Sequence, residues 1–429
     1  MPKTLYICYF GLREPLVQTQ VLPYLREIGK GGVDVSILTF EPDMRAKWTA
    51  EQIMQMRAEL AEEGMAWHCL AYHKRPSVPA TAFDIVNGTR YVRKLLNREK
   101  FDVLHTRGHI PGLMAALARK FSREGPKMLF DIRGFFPEEY TDAGVWPEGG
   151  WLYRSAKRVE RWLMRESDAF VVLTKNARDI LFPESRETGF EREGRPVEVI
   201  PCCVDLEKRF SGDPQELRRE FREKLGLEGR RVILHLGALG GLYLTDAIVD
   251  LLSAAKRVDP STFAVFLTQS DPNSVIPKLK ESGFGEEDFI VTKVPATEVQ
   301  GYLEASDIAL SIVKATFATQ SRSPTKLPEY LVCGLPVIAN RGVGDVDELI
   351  ENSKVGVLLD GFEEASYLKA LSEIAQLGDA SNRCRETAHR HFDLQKVGGE
   401  RYRRVYNRLA GKDASSAAGE GRQFVSVAK

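Results

Sequence analysis

The chain has 429 residues, too many for one ordinary domain and enough for two of about 200 residues each. Its 60 Lys and Arg cancel its 60 Asp and Glu, which argues against a nucleic-acid partner, because that binding draws on a basic excess to displace counterions. Apolar residues make up 43% without any run of about 18, so the composition excludes a disordered chain and an integral membrane protein. The six cysteines, Cys202 and Cys203 among them, have no zinc spacing and read as reduced thiols of a cytoplasmic protein. The start, Met1 to Ile7, lacks the basic and apolar regions of a secretory signal.

Short apolar runs alternate with helical patterns along the chain. Thr4 to Phe10 reads as a buried strand, followed by Val17, Val21, Leu22, Leu25 and Ile28 at helical spacing. Strands are expected at 33–40, 102–106, 127–132, 169–174 and 197–201, with helices near 50–63, 84–98, 110–123 and 151–167. Asp213-Pro214 marks a helix start, and the alternation resumes with strands at 231–236, 263–268, 289–292, 308–313, 336–339 and 355–358. This order implies an α/β protein of two Rossmann-like, doubly wound parallel-sheet domains. The expected division is 1–205, 206–392, a helix over 393–410 and a disordered tail over 411–429, where Ala, Ser and Gly dominate.

Ligands of doubly wound sheets sit at the carboxyl ends of the strands, so the loops there carry the candidates. Gly11 follows the first strand alone, without the G-x-G-x-x-G of a dinucleotide site; it serves either a tight turn or the close approach of an acceptor. Gly237, Gly240 and Gly241 occupy the equivalent turn of the second half and suit either a diphosphate or a plain turn. The richest run is 314–345. Ser323-Pro324 reads as a helix start, with Thr325 beside it, and Lys314, Arg322 and Lys326 gather positive charge there. Glu329 is placed to accept hydrogen bonds from ribose hydroxyls, or else serves the helix dipole. In the first half, His105 and Arg107 end one strand region, and Asp131, Arg133, Glu138 and Glu139 follow the next. Arg133 suits charge on a phosphate or acceptor, and Glu138 or Glu139 suits an acceptor hydroxyl; structural bonding between loops is the alternative for Asp131 and His105. The remaining histidines have no metal spacing.

The run Ser323-Pro324-Thr325-Lys326-x-x-Glu329-Tyr330-Leu331-x-x-Gly334-Leu335-Pro336-Val337-Ile338 resembles the donor-binding motif of GT-B glycosyltransferases of the large retaining family four. Val199 to Asp205, Val294 to Asp307 and Gly344 to Gly356 are similar to further segments of that family. Gln18, Gln20 and Val21 to Leu25 are similar to members that build bacterial surface polysaccharides. The resemblance implies two domains facing across a cleft. A UDP- or GDP-linked sugar would dock on the second, and a saccharide or lipid-linked saccharide on the first near Gly11 and Gln18. It further implies transfer with retention, without a metal, the leaving phosphate accepting the acceptor's proton, and a helix 393–410 that returns to the first domain. Related enzymes carry a histidine near the position of Asp131 and Arg133, which would take its role here.

Two departures matter. The family's first glutamate, eight positions before Glu329, is Ser321 here, and its Arg and Lys after the first strand of the second half are replaced by Gly240, Gly241, Leu242 and Tyr243. Lys314, Arg322 or Lys326 is then expected to supply the diphosphate charge. The helix 151–167 carries Arg154, Lys157, Arg158, Arg161 and Arg165 among Trp151, Leu152, Val159, Trp162 and Leu163, a basic amphipathic pattern suited to anionic lipid at the inner face of the cell membrane, or to a packed helix with a solvated face. An epimerase or phosphorylase of the same architecture, and a non-catalytic nucleotide-sugar-binding protein, are the rival readings.

Overall fold

The short apolar runs fold as parallel strands in two separate sheets. The computed structural model describes residues 1–122, 125–206, 210 and 212–411, so all of the expected tail except Gly411 lies outside the described residues. Contacts divide the chain into two units. The first holds Met1–Thr141, Trp146–Ile200 and the chain from Leu394 onward; the second holds Asp142–Val145 and Pro201–Asp393.

In the first unit, β1 (Lys3–Ile7), β2 (Asp34–Pro42), β3 (Met65–Tyr72), β4 (Val103–Arg107), β5 (Lys127–Ile132), β6 (Ala169–Val172) and β7 (Val197–Val199) pair in the order β3-β2-β1-β4-β5-β6-β7. Helices cover a sheet of this kind on both faces, which is why β4 and β6 are buried at every position. Strand β3 is absent from the sequence expectation. It lies at the sheet edge and is mostly half-buried, and His68 splits Met65 to Tyr72 into apolar runs of only three and four residues.

In the second unit, β8 (Arg231–Leu236), β9 (Thr262–Leu267), β10 (Phe289–Thr292), β11 (Ile308–Ser311), β12 (Val337–Asn340) and β13 (Gly356–Leu359) pair in the order β10-β9-β8-β11-β12-β13. The period of two is visible in β8: Val232, Leu234 and Leu236 join one core layer, while Ile233 joins the layer on the opposite face.

After the second unit the chain runs through Leu394–Gly399 into the helix Glu400–Leu409, which packs on the first unit. Arg403 lies 3.7 Å from Glu27, Arg404 lies 3.1 Å from Glu198, and the rings of Tyr402 and Tyr24 meet edge to face at 5.4 Å.

Candidate active site

The strand order of the second sheet reverses at β8 and β11, so the loops leaving these two strands flank the switch point where doubly wound sheets take ligands. After β8 the chain turns through Gly240 and Gly241, whose φ values of 74° and 63° lie in the left-handed region that favours glycine. The Gly240 N–H donates to Thr245 Oγ1 at 2.8 Å and pins that turn to the next helix. After β11, the Lys314 N–H donates to the Leu242 carbonyl at 2.7 Å, and Val313 bridges Tyr243. The glycine loop and the loop bearing Lys314 are therefore tied to each other, with the Lys314 side chain exposed.

The chain then makes a tight turn, Ala318–Ser321, and a short helix, Leu327–Val332. Here the structure corrects the sequence reading. Ser323-Pro324 does not start the helix, which begins four residues beyond Ser323 with Pro328 in its first turn, where a missing N–H costs nothing. The Ser323 hydroxyl instead accepts from the Cys202 N–H at 3.0 Å. Ser321 is buried, and its hydroxyl donates to the Ala318 carbonyl at 2.7 Å, closing the turn. Tyr330 keys the helix to the sheet: its fully buried hydroxyl accepts from the Leu236 N–H at 3.0 Å, at the end of β8. Glu329 is thereby held at the carboxyl edge, 3% exposed, with one oxygen 3.5 Å from Lys326 Nζ. Burial pushes the Tyr243 hydroxyl's pKa up, and the nearby positive charge of Arg322 pulls against it. His235 lies beneath this edge, 1% exposed, with Nε2 3.2 Å from the Ala238 carbonyl; burial drives its pKa down to about 4. The arrangement gathers a glycine turn, Lys314, Arg322, Lys326 and Glu329 around one switch point, a surface suited to an anion with a hydroxylated neighbour.

The first unit treats its predicted residues differently. Asp131 and His105 are both 0% exposed. Asp131 accepts from the Tyr402 hydroxyl at 2.9 Å and lies 3.5 Å from Arg133 Nη1 and 3.7 Å from His105 Nε2, while His105 Nδ1 is 3.0 Å from the Tyr406 hydroxyl. Burial raises the Asp131 pKa, but the charge of Arg133, with His105 and Arg107, outweighs it and holds the carboxylate at about 2; burial itself lowers the His105 pKa and keeps the imidazole neutral. Where catalysis was expected of Asp131 and acceptor binding of His105, the structure shows both groups buried and bonded to two tyrosines of the helix Glu400–Leu409.

Arg107 is also buried, 3.5 Å from the Tyr6 hydroxyl and 3.4 Å from the Gln20 carbonyl, which removes it from an acceptor. Gly11 is a packing glycine, since an added Cβ would lie 2.6 Å from Pro42 Cδ. The turn it opens is organised by Glu41, which accepts from the Leu12 N–H at 2.9 Å and from the Trp48 indole at 3.1 Å. Gln18 is exposed, and its amide closes the same turn by donating to the Leu12 carbonyl at 2.7 Å. Glu139 is half-buried with its carboxylate over the backbone of Gly134, and Arg133 keeps a small exposed fraction, 12% of its side chain, at the mouth of the same loop.

Comparison with known proteins bears on this geometry. Residues 17–203 match the glycosyl transferase 4-like domain. Spore coat protein SA of Bacillus subtilis is 22% identical over 218 residues, 47% of this chain and 56% of that protein, so the chain spans little more than half of that relative. A glycosyltransferase from Rickettsia africae superposes with a TM-score of 0.66 at 15% identity, covering 95% of this chain and 98% of its own. Anabaena HepE, solved in complex with UDP and glucose, superposes with a TM-score of 0.63 at 14% identity, covering 97% and 100%. Residues 17–203 carry a glycosyl transferase 4-like domain, and the chain as a whole has the GT-B fold of these solved structures.

In this chain no described helix is long and apolar enough to cross a membrane. The helix Trp151–Glu166 presents Arg154, Arg158, Arg161 and Arg165 on one exposed stripe, with Trp151 71% exposed at its start. The amphipathic reading is corrected in two respects. Lys157 turns inward to Glu160 and Glu138, and Leu163 is buried with Leu152, Val159 and Trp162 half-buried beside it, so the apolar side packs on the protein and the free side is basic. Tyr243, Tyr330 and His235 in the second unit, and Glu41 in the first, were not among the sequence candidates. Their only local signal is an aromatic or polar residue at a strand end or beside a candidate motif.

Proposed function

We propose that this protein is a glycosyltransferase that moves a sugar from a UDP- or GDP-linked donor to a hydroxyl of a saccharide or lipid-linked saccharide, with retention of configuration. The observation that carries the reading is the tie between the loops after β8 and β11, which brings Gly240, Gly241 and Lys314 to the switch point beside Arg322, Lys326 and Glu329. In this scheme Lys314, Arg322 and Lys326 neutralise the leaving diphosphate without a metal, a preorganised electrostatic term of the kind that dominates such transfers. Glu329 accepts from the ribose hydroxyls and is oriented by Lys326. Ser321 leaves the sugar end of the site without a second carboxylate, which favours a donor sugar held by neutral hydrogen bonds. The leaving phosphate takes the acceptor's proton.

Titration calorimetry with UDP and GDP tests the donor half. Single alanine variants of Lys314, Arg322 and Lys326 are expected to bind more weakly, and unchanged affinity in all three refutes the assignment. The anomeric configuration of the product, read by NMR, tests retention. The likeness to a spore coat protein supports a role at the cell surface. The exposed arginine stripe of Trp151–Glu166 supports electrostatic contact with anionic lipid, and flotation with phosphatidylglycerol vesicles at low salt tests it: protein that stays unbound removes the proposal.

A further inference from the structure

Tyr9 leaves β1, Tyr72 ends β3, and His73 follows directly; the helix Ser77–Leu96 supplies Phe83 and Asp84. All belong to the first unit and cluster at the carboxyl edge of its sheet. Asp84 is 0% exposed, and both of its oxygens are engaged. Oδ1 lies 2.6 Å from His73 Nδ1, and Oδ2 accepts from the Tyr9 hydroxyl at 2.7 Å and from the His73 N–H at 2.9 Å. A carboxylate accepts, so Nδ1 carries the proton and Nε2 is left to face outward from a side chain 45% exposed. Burying a carboxylate is costly, and a half-exposed ring gains little stability from being fixed in one orientation. The cost is understandable if the outward nitrogen has to be in place before a ligand arrives.

An aromatic ring packs against this imidazole, and a second aromatic pair lies on the other side of the Asp84 anchor. Phe83, 56% exposed, meets the His73 ring edge to face at 5.0 Å, and Tyr72 meets Tyr9 at 5.1 Å.

We infer that His73, held by Asp84, the exposed ring of Phe83 and the half-buried Tyr72 form a saccharide subsite that stacks the C–H face of a pyranose and hydrogen-bonds one of its hydroxyls through His73 Nε2. The match is chemical: a pyranose is apolar on its faces and polar at its rim, as this surface is apolar on its rings and polar between them. A lipid chain would leave His73 Nε2 without a partner. The inference rests on the proposed transfer, whose acceptor half it specifies, and it moves that half away from Gly11, His105 and Arg107.

The test is saturation-transfer NMR on the full chain, with methyl glycosides of glucose, galactose and N-acetylglucosamine as probes. At least one is expected to show transfer to its ring protons, and Phe83→Ala and His73→Gln are each expected to weaken it about threefold or more, with melting temperature and UDP affinity unchanged. Phe83 is exposed, so its variant keeps the fold testable. No signal from any probe, or equal signals in wild type and both variants, overturns the subsite. Vesicle binding lost in Phe83→Ala without any pyranose signal also overturns it, in favour of lipid. Pyranose binding without UDP or GDP binding upholds the subsite and refutes the transfer reading instead.

Discussion

Removing the Tyr402 hydroxyl tests whether Asp131 serves the fold or the reaction. The bond between them is 2.9 Å long, joins a neutral donor to a carboxylate, and is fully buried. Bonds of that class contribute about 1.5–3 kcal/mol, so Tyr402→Phe is expected to lower unfolding free energy by that amount. Asp131→Asn goes further, because it strips the counter-charge from Arg133, 3.5 Å away in a nearly buried setting; the expected loss is about 3–5 kcal/mol. The Asp131 pKa is held at about 2, below the ordinary 3.8, so its contribution is fully present above pH 4 and lost as pH falls toward 2. The gap between wild type and Asp131→Asn should then narrow by about 2 kcal/mol over that window. Urea unfolding at neutral and acid pH measures both effects. Tyr402→Phe that remains folded is expected to keep wild-type turnover. An Asp131→Asn variant as stable as wild type but without transferase activity would refute the structural assignment.

Four further outcomes are expected. Glu329→Ala should lower transfer about tenfold to a hundredfold with the fold intact, as loss of charged hydrogen bonds to ribose predicts; near-normal steady-state turnover would sink its donor role. His235 titrates at about 4 when folded against an ordinary 6.5, so the unfolded chain binds the proton more readily and stability falls as pH drops from 6.5 to 4, by up to about 3 kcal/mol; His235→Asn should flatten that slope in urea melts. Gly11→Ala forces a Cβ to within 2.6 Å of Pro42 Cδ and should cost about 1–3 kcal/mol by calorimetry, whatever acceptor is present. Tyr330→Phe leaves the Leu236 N–H without its 3.0 Å acceptor and should both destabilise the second unit and weaken UDP binding.

The strands buried on both faces were legible because a parallel sheet needs continuous apolar runs, as at Phe263 to Leu267. Edge strand β3 was not, because His68 splits its apolar residues into runs of three and four. The donor-side candidates were legible because glycines and cations act through local spacing, and the short segment from Lys314 to Glu329 keeps them together. Asp131 and His105 misled for the opposite reason. A polar residue at a strand end reads as catalytic until its partner is known, and here the partner is Tyr402, 271 residues away in sequence. The same holds for His73, whose meaning depends on a carboxylate that reaches it from the helix above rather than from its own loop.

The return of Glu400–Leu409 to the first unit also orders events during synthesis. Strands β1 to β7 leave the ribosome first, yet Tyr402 and Tyr406, which seal Asp131 and His105, follow only after the whole of the second unit. Until then the nascent first unit holds a charged cavity open to water, and its last hydrogen bonds wait on residues made at the end. A chain cut shortly before residue 400 would therefore injure the unit at the opposite end of the sequence, and the half translated first is the half completed last.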